Sequence, residues 1–165
     1  YTLSLRTALP TLIAGSGPLA PSLAALAAEL GLGEAVVFVG WLSQEETRTH
    51  IMDASVLALP SRLLPLGDRD GIANVLVEAL ALVAPVVTPT AGAAGEVITD
   101  RQNGRLVPPD DPARLADALA ELLGSKDLRN RLAKAGRRTA EEQFDGAANI
   151  RLLEAFFTRA SSPPA

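Results

Sequence analysis

The sequence predicts an α/β domain built on a parallel β-sheet of about five strands, with helices on both faces. Short apolar runs alternate with longer amphipathic stretches along the 165 residues, and this alternation is typical of repeated βα units. A chain of this length can bury a proper hydrophobic core. Its hydrophobic content of 48%, beside 21% charged residues, is that of a globular domain.

Each predicted strand is a short apolar run that ends at turn residues. Leu12-Ile13-Ala14 runs into Gly15-Ser16-Gly17, for example, and the next apolar run ends at Gly40-Trp41. The last run is short and precedes Pro108-Pro109, so it is predicted to be an edge strand. The predicted strands cover residues 12–14, 36–39, 56–59, 86–87 and 105–107.

The predicted helices are identified by their ends. Ser43 followed by Glu46 forms a capping box, and Gly31 stops the first helix. Pro112 stands at the first position of a helix that Asp111 caps. The predicted helices cover residues 21–30, 44–52, 72–83, 92–98, 113–123, 126–142 and 146–159. We expect the last of them to pack along one side of the sheet.

The most informative segment is residues 72–87, which is apolar except for Asn74 and Glu78. These two residues stand four apart, hence on one edge of a helix, and Asp70 lies four residues before Asn74. An apolar helix is normally buried, and a buried carboxylate needs a partner because an unpaired charge there is very costly. Two interpretations stay open. Glu78 binds a ligand with anionic and hydroxyl groups, or it pairs with an arginine or caps a neighbouring element.

Three loops at the carboxyl edge of the predicted sheet are candidate ligand sites, because ligands of open parallel sheets bind there. Gly15-Ser16-Gly17 is a tight turn between strand and helix, and Gly71-Ile72-Ala73-Asn74 offers free amides that favour phosphate. Residues 92–96 form a flexible loop that a ligand can approach closely. For the first and third loops the alternative is an ordinary connection. Trp41 either flanks a base or closes the core.

The composition excludes several classes of function. The chain has no cysteine, which rules out disulfides, thiolate zinc sites and cysteine nucleophiles. Its single histidine, His50, argues against a Ser-His-Asp triad or a multi-histidine metal site. A net charge of −4 without a Lys/Arg run argues against a nucleic-acid surface. No apolar stretch is long enough to predict a membrane span.

The order of these pieces resembles the C-terminal domain of family-four retaining glycosyltransferases. Gly15-Ser16-Gly17-Pro18-Leu19 comes first, and the stretch from Asp70 to Glu78 carries two acids eight positions apart. The other matching segments are residues 36–41, 53–61, 79–81, 84–87 and 103–109, together with Phe144. The family usually has Gly-x-Pro-Val-Val before its next strand, and Ala84 is matched to that glycine. The resemblance covers residues 10–158.

The resemblance implies the nucleotide-sugar-binding half of a GT-B enzyme, with a Rossmann-like sheet. Such an enzyme needs no metal or other cofactor, and the nucleoside-diphosphate sugar is its substrate. Asp70 is the implied catalytic residue and touches hydroxyls of the transferred sugar, while Glu78 holds the ribose hydroxyls. The other implied donor-binding residues are Gly71, Ile72, Ala73 and Asn74 at the helix start, Gly15 and Gly17, and Gly40, Trp41 and Leu42 beside the base.

Further expectations concern the whole protein. The family's first strand, with its diphosphate-binding Arg and Lys, and the acceptor-binding domain are expected to precede Tyr1. Residues 1–160 are then an N-terminally truncated donor-binding domain, and residues 161–165 are a frayed tail. The whole enzyme would transfer a hexose to a glycan or lipid-linked acceptor in polysaccharide biosynthesis. It would be cytoplasmic, or peripheral at the inner face of the membrane.

The isolated fragment is expected to be inactive, and an exposed apolar sheet edge is expected to make it dimerise or swap. Two other functions stay open. One is a non-catalytic module that binds a nucleotide or sugar phosphate. The other is a GT-B sugar-nucleotide epimerase, although an epimerase should need acid and base groups in both halves.

Overall fold

The computed structural model describes residues 11–62 and 71–160. The chain divides after Thr47 into two compact units. The predictions for Asp70 and for the tail, residues 161–165, lie outside the described residues.

The first unit contains a pair of parallel strands connected by one helix. Strand β1 (Thr11–Ala14) pairs with β2 (Val36–Gly40), and helix α1 (Ala20–Glu29) lies between them in the chain. Gly31 follows α1 in the left-handed conformation, with a φ of 67°, which is the helix-ending role predicted for it. The sequence therefore predicted this βαβ unit with the right elements and ends within one residue.

Helix α2 (Gln44–Asp53) begins with the predicted capping box. The backbone N–H of Ser43 donates to Oε2 of Glu46 at 2.8 Å, and the N–H of Glu46 donates to Oγ of Ser43 at 3.3 Å. This reciprocal pairing satisfies N–H groups that the start of a helix otherwise leaves unbonded.

The second unit is built on a three-stranded parallel sheet. Strand β3 (Leu57–Ala58) and strand β5 (Arg105–Val107) pair on either side of β4 (Val86–Pro89). Strand β5 pairs with β4 alone among the described strands, as predicted for an edge strand. The helices of this part of the chain that follow β3 are α3 (Asn74–Ala81), α4 (Ala94–Val97), α5 (Pro112–Gly124), α6 (Lys126–Gln143) and α7 (Gly146–Ala160).

Helices cover both faces of this sheet. Successive residues of β4 point to opposite sides, so they belong to different buried clusters. Val86 belongs to one buried cluster, with Leu76 and Leu80 of α3. Val87 belongs to a second cluster, with Leu122 of α5. This two-sided covering confirms the predicted α/β class with parallel strands and helices on both faces.

The five strands form with parallel pairing throughout, but among the described residues they are divided between two sheets rather than joined in one. Among the strands that the structure describes, β1 pairs only with β2, and β3 pairs only with β4.

Helices α3 and α6 approach each other closely because Gly136 has no side chain. A Cβ at Gly136 would lie 2.6 Å from Cδ2 of Leu80 and 3.1 Å from the backbone oxygen of Asn103. The guanidinium of Arg137 donates to the carbonyl of Ala81, the last residue of α3. Carbonyl groups at a helix end need such donors, so α6 holds the carboxyl end of α3 in place.

An ionic cluster ties the edge strand β5 to α5. Arg105 is only 9% exposed. Its Nε donates to Oδ1 of Asp100 at 2.9 Å, and its Nη1 pairs with Glu121. Burial by itself raises the pKa of Asp100, but the N–H of Leu106 and the charges of Arg105 and Arg101 hold that pKa below its ordinary value.

The turn between α3 and β4 contains a strained residue. Val83 has a φ of 61°, a left-handed conformation that a β-branched side chain disfavours. Counting back from Pro85, the Gly-x-Pro spacing places the family's glycine at position 83, and the left-handed backbone of Val83 agrees with a glycine there. The match of that glycine to Ala84 is therefore wrong.

We expect Val83→Gly to stabilise the protein by about 1 kcal/mol. A left-handed non-glycine residue costs roughly 1–2 kcal/mol, and the extra freedom of glycine in the unfolded chain offsets part of the gain. The thermal unfolding midpoint should rise by about 2–4 °C. Leu82→Gly is the control, because Leu82 has an ordinary φ of −90°, and that variant should unfold at a lower temperature. A lower midpoint for Val83→Gly would contradict the strain argument.

Over residues 146–158, helix α7 is exposed at all but one position, so the prediction that it packs along one side of the sheet is wrong. Between residues 146 and 158, Ala148 alone is half-buried. Five large apolar side chains are between 57% and 69% exposed: Ile150, Leu152, Leu153, Phe156 and Phe157. The amphipathic pattern of this segment identifies an apolar face but contains no information about what covers that face.

Candidate functional site

The candidate site of the second unit lies where the chain enters α3. Ala73 is the N-cap residue, with an extended backbone (φ −64°, ψ 125°), and its own side chain makes no capping hydrogen bond. Amides at the start of a helix lack intrahelical partners and lie at the positive end of the helix dipole, which favours anions. Gly71, Ile72, Ala73 and Asn74 provide the backbone of this helix start, and their binding of a diphosphate stays a prediction.

A pocket of about 300 Å³ opens beside this helix start. Asn74 and Glu78 contribute its polar side chains, while Ile72, Val77 and Phe144 contribute apolar ones. This volume is near the lower limit of small-molecule sites, which span roughly 300–1,000 Å³. The structure thus brings three of the predicted site residues, Ile72, Asn74 and Glu78, to one cavity.

Glu78 is half-buried, and Asn74, one helical turn earlier, is exposed. The Glu78 carboxylate forms no hydrogen bond or ion pair with the residues that the structure describes. The alternative interpretation, in which Glu78 pairs with an arginine or caps a neighbouring element, is therefore not found in the described ranges. A half-buried carboxylate without a protein partner keeps its capacity to accept hydrogen bonds from a ligand.

Asp70, the residue to which the resemblance assigns catalysis, lies outside the described residues. Gly71, the residue after Asp70, is exposed. The role of Asp70 stays a prediction.

In the first unit, Gly15 and Gly40 meet at the carboxyl ends of β1 and β2. The N–H of Gly15 donates to the carbonyl of Gly40 at 2.7 Å. Their φ values are 123° and 70°, in a region that glycine adopts readily and other residues rarely do. These glycines are required by the turn itself, so their contact with a donor stays a prediction.

Trp41, directly after β2, is 76% exposed. The alternative that Trp41 closes the core is therefore wrong for the described residues. Leu42 is half-buried, and Gly17 is exposed in the loop after β1. An exposed indole next to a strand end is available to stack on a planar ligand, and the role of Trp41 beside a base stays a prediction.

The third loop predicted from the sequence, residues 92–96, contains a left-handed turn and a single helical turn. Gly92 has a φ of 60°, and α4 follows it directly. This geometry is that of an ordinary connection between a strand and a short helix.

The sequence did not identify two residues that line the α3 pocket, Val77 and Phe144. Val77 directly precedes Glu78 on α3. It lines the pocket because it lies on the same helix as Glu78. Phe144 was only one element of the family pattern. It reaches this pocket from the end of α6, and no spacing rule relates it to Glu78.

A second cavity of about 330 Å³ lies at the carboxyl ends of the strands of the three-stranded sheet. Its lining includes Pro60 after β3, Pro89 of β4 and Val107 of β5. Nε of Arg62 pairs with Oδ1 of Asp110 at 2.7 Å on this lining, and both side chains are substantially exposed. No predicted site residue of the described ranges lies on this cavity.

Two further observations hold for residues 11–62 and 71–160. No three side chains of the types that bind metals are grouped so that they could hold an ion. No helix combines the length and the apolar character needed to cross a bilayer.

Residues 3–139 match the family model of glycosyl transferases group 1. The chain belongs to this glycosyl transferase family, which confirms the resemblance found in the sequence. Among curated relatives, the GDP-mannose-dependent alpha-(1-6)-phosphatidylinositol monomannoside mannosyltransferase of Mycobacterium tuberculosis is 34% identical over 155 residues. That match covers 86% of this chain and 40% of the relative, so the chain spans well under half of that protein's length.

Two solved structures show the same fold. The C-terminal domain of a group 1 glycosyl transferase (LpcC) from Francisella tularensis superimposes with a TM-score of 0.66 at 25% identity, over 75% of this chain and 61% of that one. HepE from Anabaena, solved in complex with UDP, superimposes with a TM-score of 0.79 at 21% identity, over 91% of this chain and 41% of that one.

Proposed function

We propose that this chain is the donor-binding half of a retaining glycosyltransferase. The whole protein transfers a hexose from a nucleoside-diphosphate sugar to a glycan or lipid-linked acceptor, which an additional acceptor-binding domain holds. The isolated chain is inactive, because it provides only one side of the cleft in which the reaction takes place. Membership of the glycosyl transferase family supports this proposal. The match to the mannosyltransferase also supports it, because it covers 40% of that protein, a share that suits one half of an enzyme.

The observation that carries the proposal is the state of Glu78. It is a half-buried carboxylate without a partner in the described ranges, and it lies on a pocket at the start of a helix. The amides of the helix start suit phosphate, and a carboxylate suits the hydroxyls of a ribose. These two properties within one site match the two ends of a nucleoside diphosphate.

Within this proposal, Asp70 has the catalytic role and contacts hydroxyls of the transferred sugar. The chemistry requires no metal, since the amides at the start of α3 and charged residues outside this chain hold the diphosphate. Because the mannosyltransferase relative is GDP-mannose-dependent, GDP-mannose is the first donor to test.

The test is the affinity of Glu78→Gln for nucleotide, in the full-length protein. Glutamine keeps the size of the side chain and one acceptor oxygen but removes the charge. Hydrogen bonds to a charged group contribute roughly 1.5–3 kcal/mol, so affinity should fall by about tenfold or more. Isothermal titration calorimetry with GDP, UDP, ADP and their sugar derivatives identifies the best ligand, and the variants are compared with that ligand.

Glu34→Gln is the matched control, because Glu34 is exposed and precedes β2 at the opposite end of that strand from Trp41. This variant should bind as the unmodified protein does. Equal affinity of Glu78→Gln and the unmodified protein would show that Glu78 is not part of the donor site, whether or not its thermal midpoint changes.

A further inference from the structure

Phe144 forms an apolar wall of the α3 pocket, and its position is fixed by the protein. Its backbone N–H donates to the carbonyl of Ala140 at 2.9 Å, where it ends α6 as the C-cap residue. Its side chain is half-buried and packs against the core cluster that contains Leu76 and Leu80. Phe144 is thus held by the core and also lines the pocket.

The pocket has two chemically different sides. Asn74 and Glu78 supply hydrogen-bonding groups, and Ile72, Val77 and Phe144 supply an apolar surface. A sugar ring has the same division, with hydroxyls around its edge and C–H bonds on its faces. The flat ring of an aromatic residue offers a large apolar surface to such a face. With a volume of about 300 Å³, the pocket accommodates one sugar ring and its neighbouring atoms rather than a complete donor.

We propose that Phe144 is a nucleotide-binding residue, and that its ring packs against the ribose whose hydroxyls bind Glu78. This inference rests on the proposed function and adds a contact that comes from a different helix. Helix α3 supplies the polar groups, and the end of α6 supplies the apolar wall. Because Gly136 on α6 lies against Leu80 on α3, the packing of the two helices sets the distance between the wall and the carboxylate.

The test compares Phe144→Leu with Phe144→Tyr in the full-length protein. Leucine keeps an apolar side chain but removes the flat ring, whereas tyrosine keeps the ring. GDP and UDP are titrated separately by calorimetry, and the thermal midpoint of each variant is recorded without ligand. For the tighter of the two nucleotides, we expect Phe144→Leu to bind about threefold to tenfold more weakly. Phe144→Tyr should bind within about twofold of the unmodified protein.

Phe156→Leu is the matched control, because it makes the same change on α7, where Phe156 is 67% exposed and outside the pocket lining. It should bind as the unmodified protein does. Equal affinity of Phe144→Leu and the unmodified protein overturns the inference, and if Glu78→Gln still binds weakly the proposed function stands. Equal weakening by leucine and tyrosine, together with equally lowered midpoints, shows that Phe144 is structural and also overturns it. If neither Glu78→Gln nor Phe144→Leu changes affinity, both proposals fail.

Discussion

Replacing Gly136 with valine is expected to destabilise the protein by about 3 kcal/mol, at the upper end of what overpacking a core costs. Even the first side-chain carbon at this position would lie 2.6 Å from Leu80 and 3.1 Å from the backbone oxygen of Asn103. Leu80 is 0% exposed, so it cannot move aside without disturbing a close-packed interior. The two further methyl groups of valine increase the clash, which outweighs the better helix propensity of valine relative to glycine.

The measurement is the thermal unfolding midpoint, with Gly124→Val as the matched control. Gly124 is the last residue of α5, and a Cβ there would meet no atom within 4 Å. The control should therefore change the midpoint much less than Gly136→Val does. Since Leu80 lies half a turn beyond Glu78 on α3, the protein that remains folded should also bind nucleotide more weakly. Similar midpoints for the two variants would contradict the packing argument.

Local features of the fold could be predicted from the sequence because they depend on a few neighbouring residues. The capping box of Ser43 and Glu46 requires only the two side chains and the start of a helix. Gly31 ends α1 because glycine adopts the left-handed conformation without a steric penalty. The alternation of short apolar runs with amphipathic stretches is also visible in the sequence. It correctly predicted the βα order and, with it, the parallel pairing of the strands.

The division of the strands into two sheets could not be predicted from these local patterns. An apolar run such as that of β3 indicates a strand, but it does not specify the strand that lies on its other side. Helix α7 gives a second example, because its apolar face is visible in the sequence while its exposure in the structure is not.

The candidate site was predictable in the part that lies on one helix. Asn74 and Glu78 share an edge of α3 because residues four apart lie one above the other, and both line the same pocket. Phe144 could not be found in this way. It reaches the pocket through the packing of α6 on α3, and that packing depends on the missing side chain of Gly136.

Asn103 is a buried polar residue. Its replacement is the second substitution that we expect to lower the stability of the protein strongly. It is 9% exposed, and each of its polar atoms is bonded. Nδ2 donates to the carbonyl of Val97 at 2.8 Å and to Oγ1 of Thr139 at 2.9 Å. Oδ1 accepts from the N–H of Thr99 at 2.8 Å. One side chain thus joins the end of α4, the turn before β5, and α6.

Asn103→Leu should destabilise the protein by about 2–4 kcal/mol, because a buried donor or acceptor that loses its partner costs roughly 1–3 kcal/mol. Leucine has a similar size but leaves the carbonyl of Val97 and the N–H of Thr99 unbonded. Asn103→Asp should also destabilise, since it retains the acceptor for Thr99 but faces the carbonyl of Val97 with an oxygen instead of an N–H. The measurement is again the thermal midpoint.

Asn149→Leu is the matched control for this network. Asn149 also donates from Nδ2 to a backbone carbonyl, that of Gln143 at 3.1 Å, but it is exposed on α7. Water can replace its hydrogen bond, so the midpoint should change little. If Asn103→Leu and Asn149→Leu unfolded at the same temperature, the hydrogen bonds of Asn103 would contribute no more than a surface bond. Helices α4 and α6 would then be held by their apolar contacts alone.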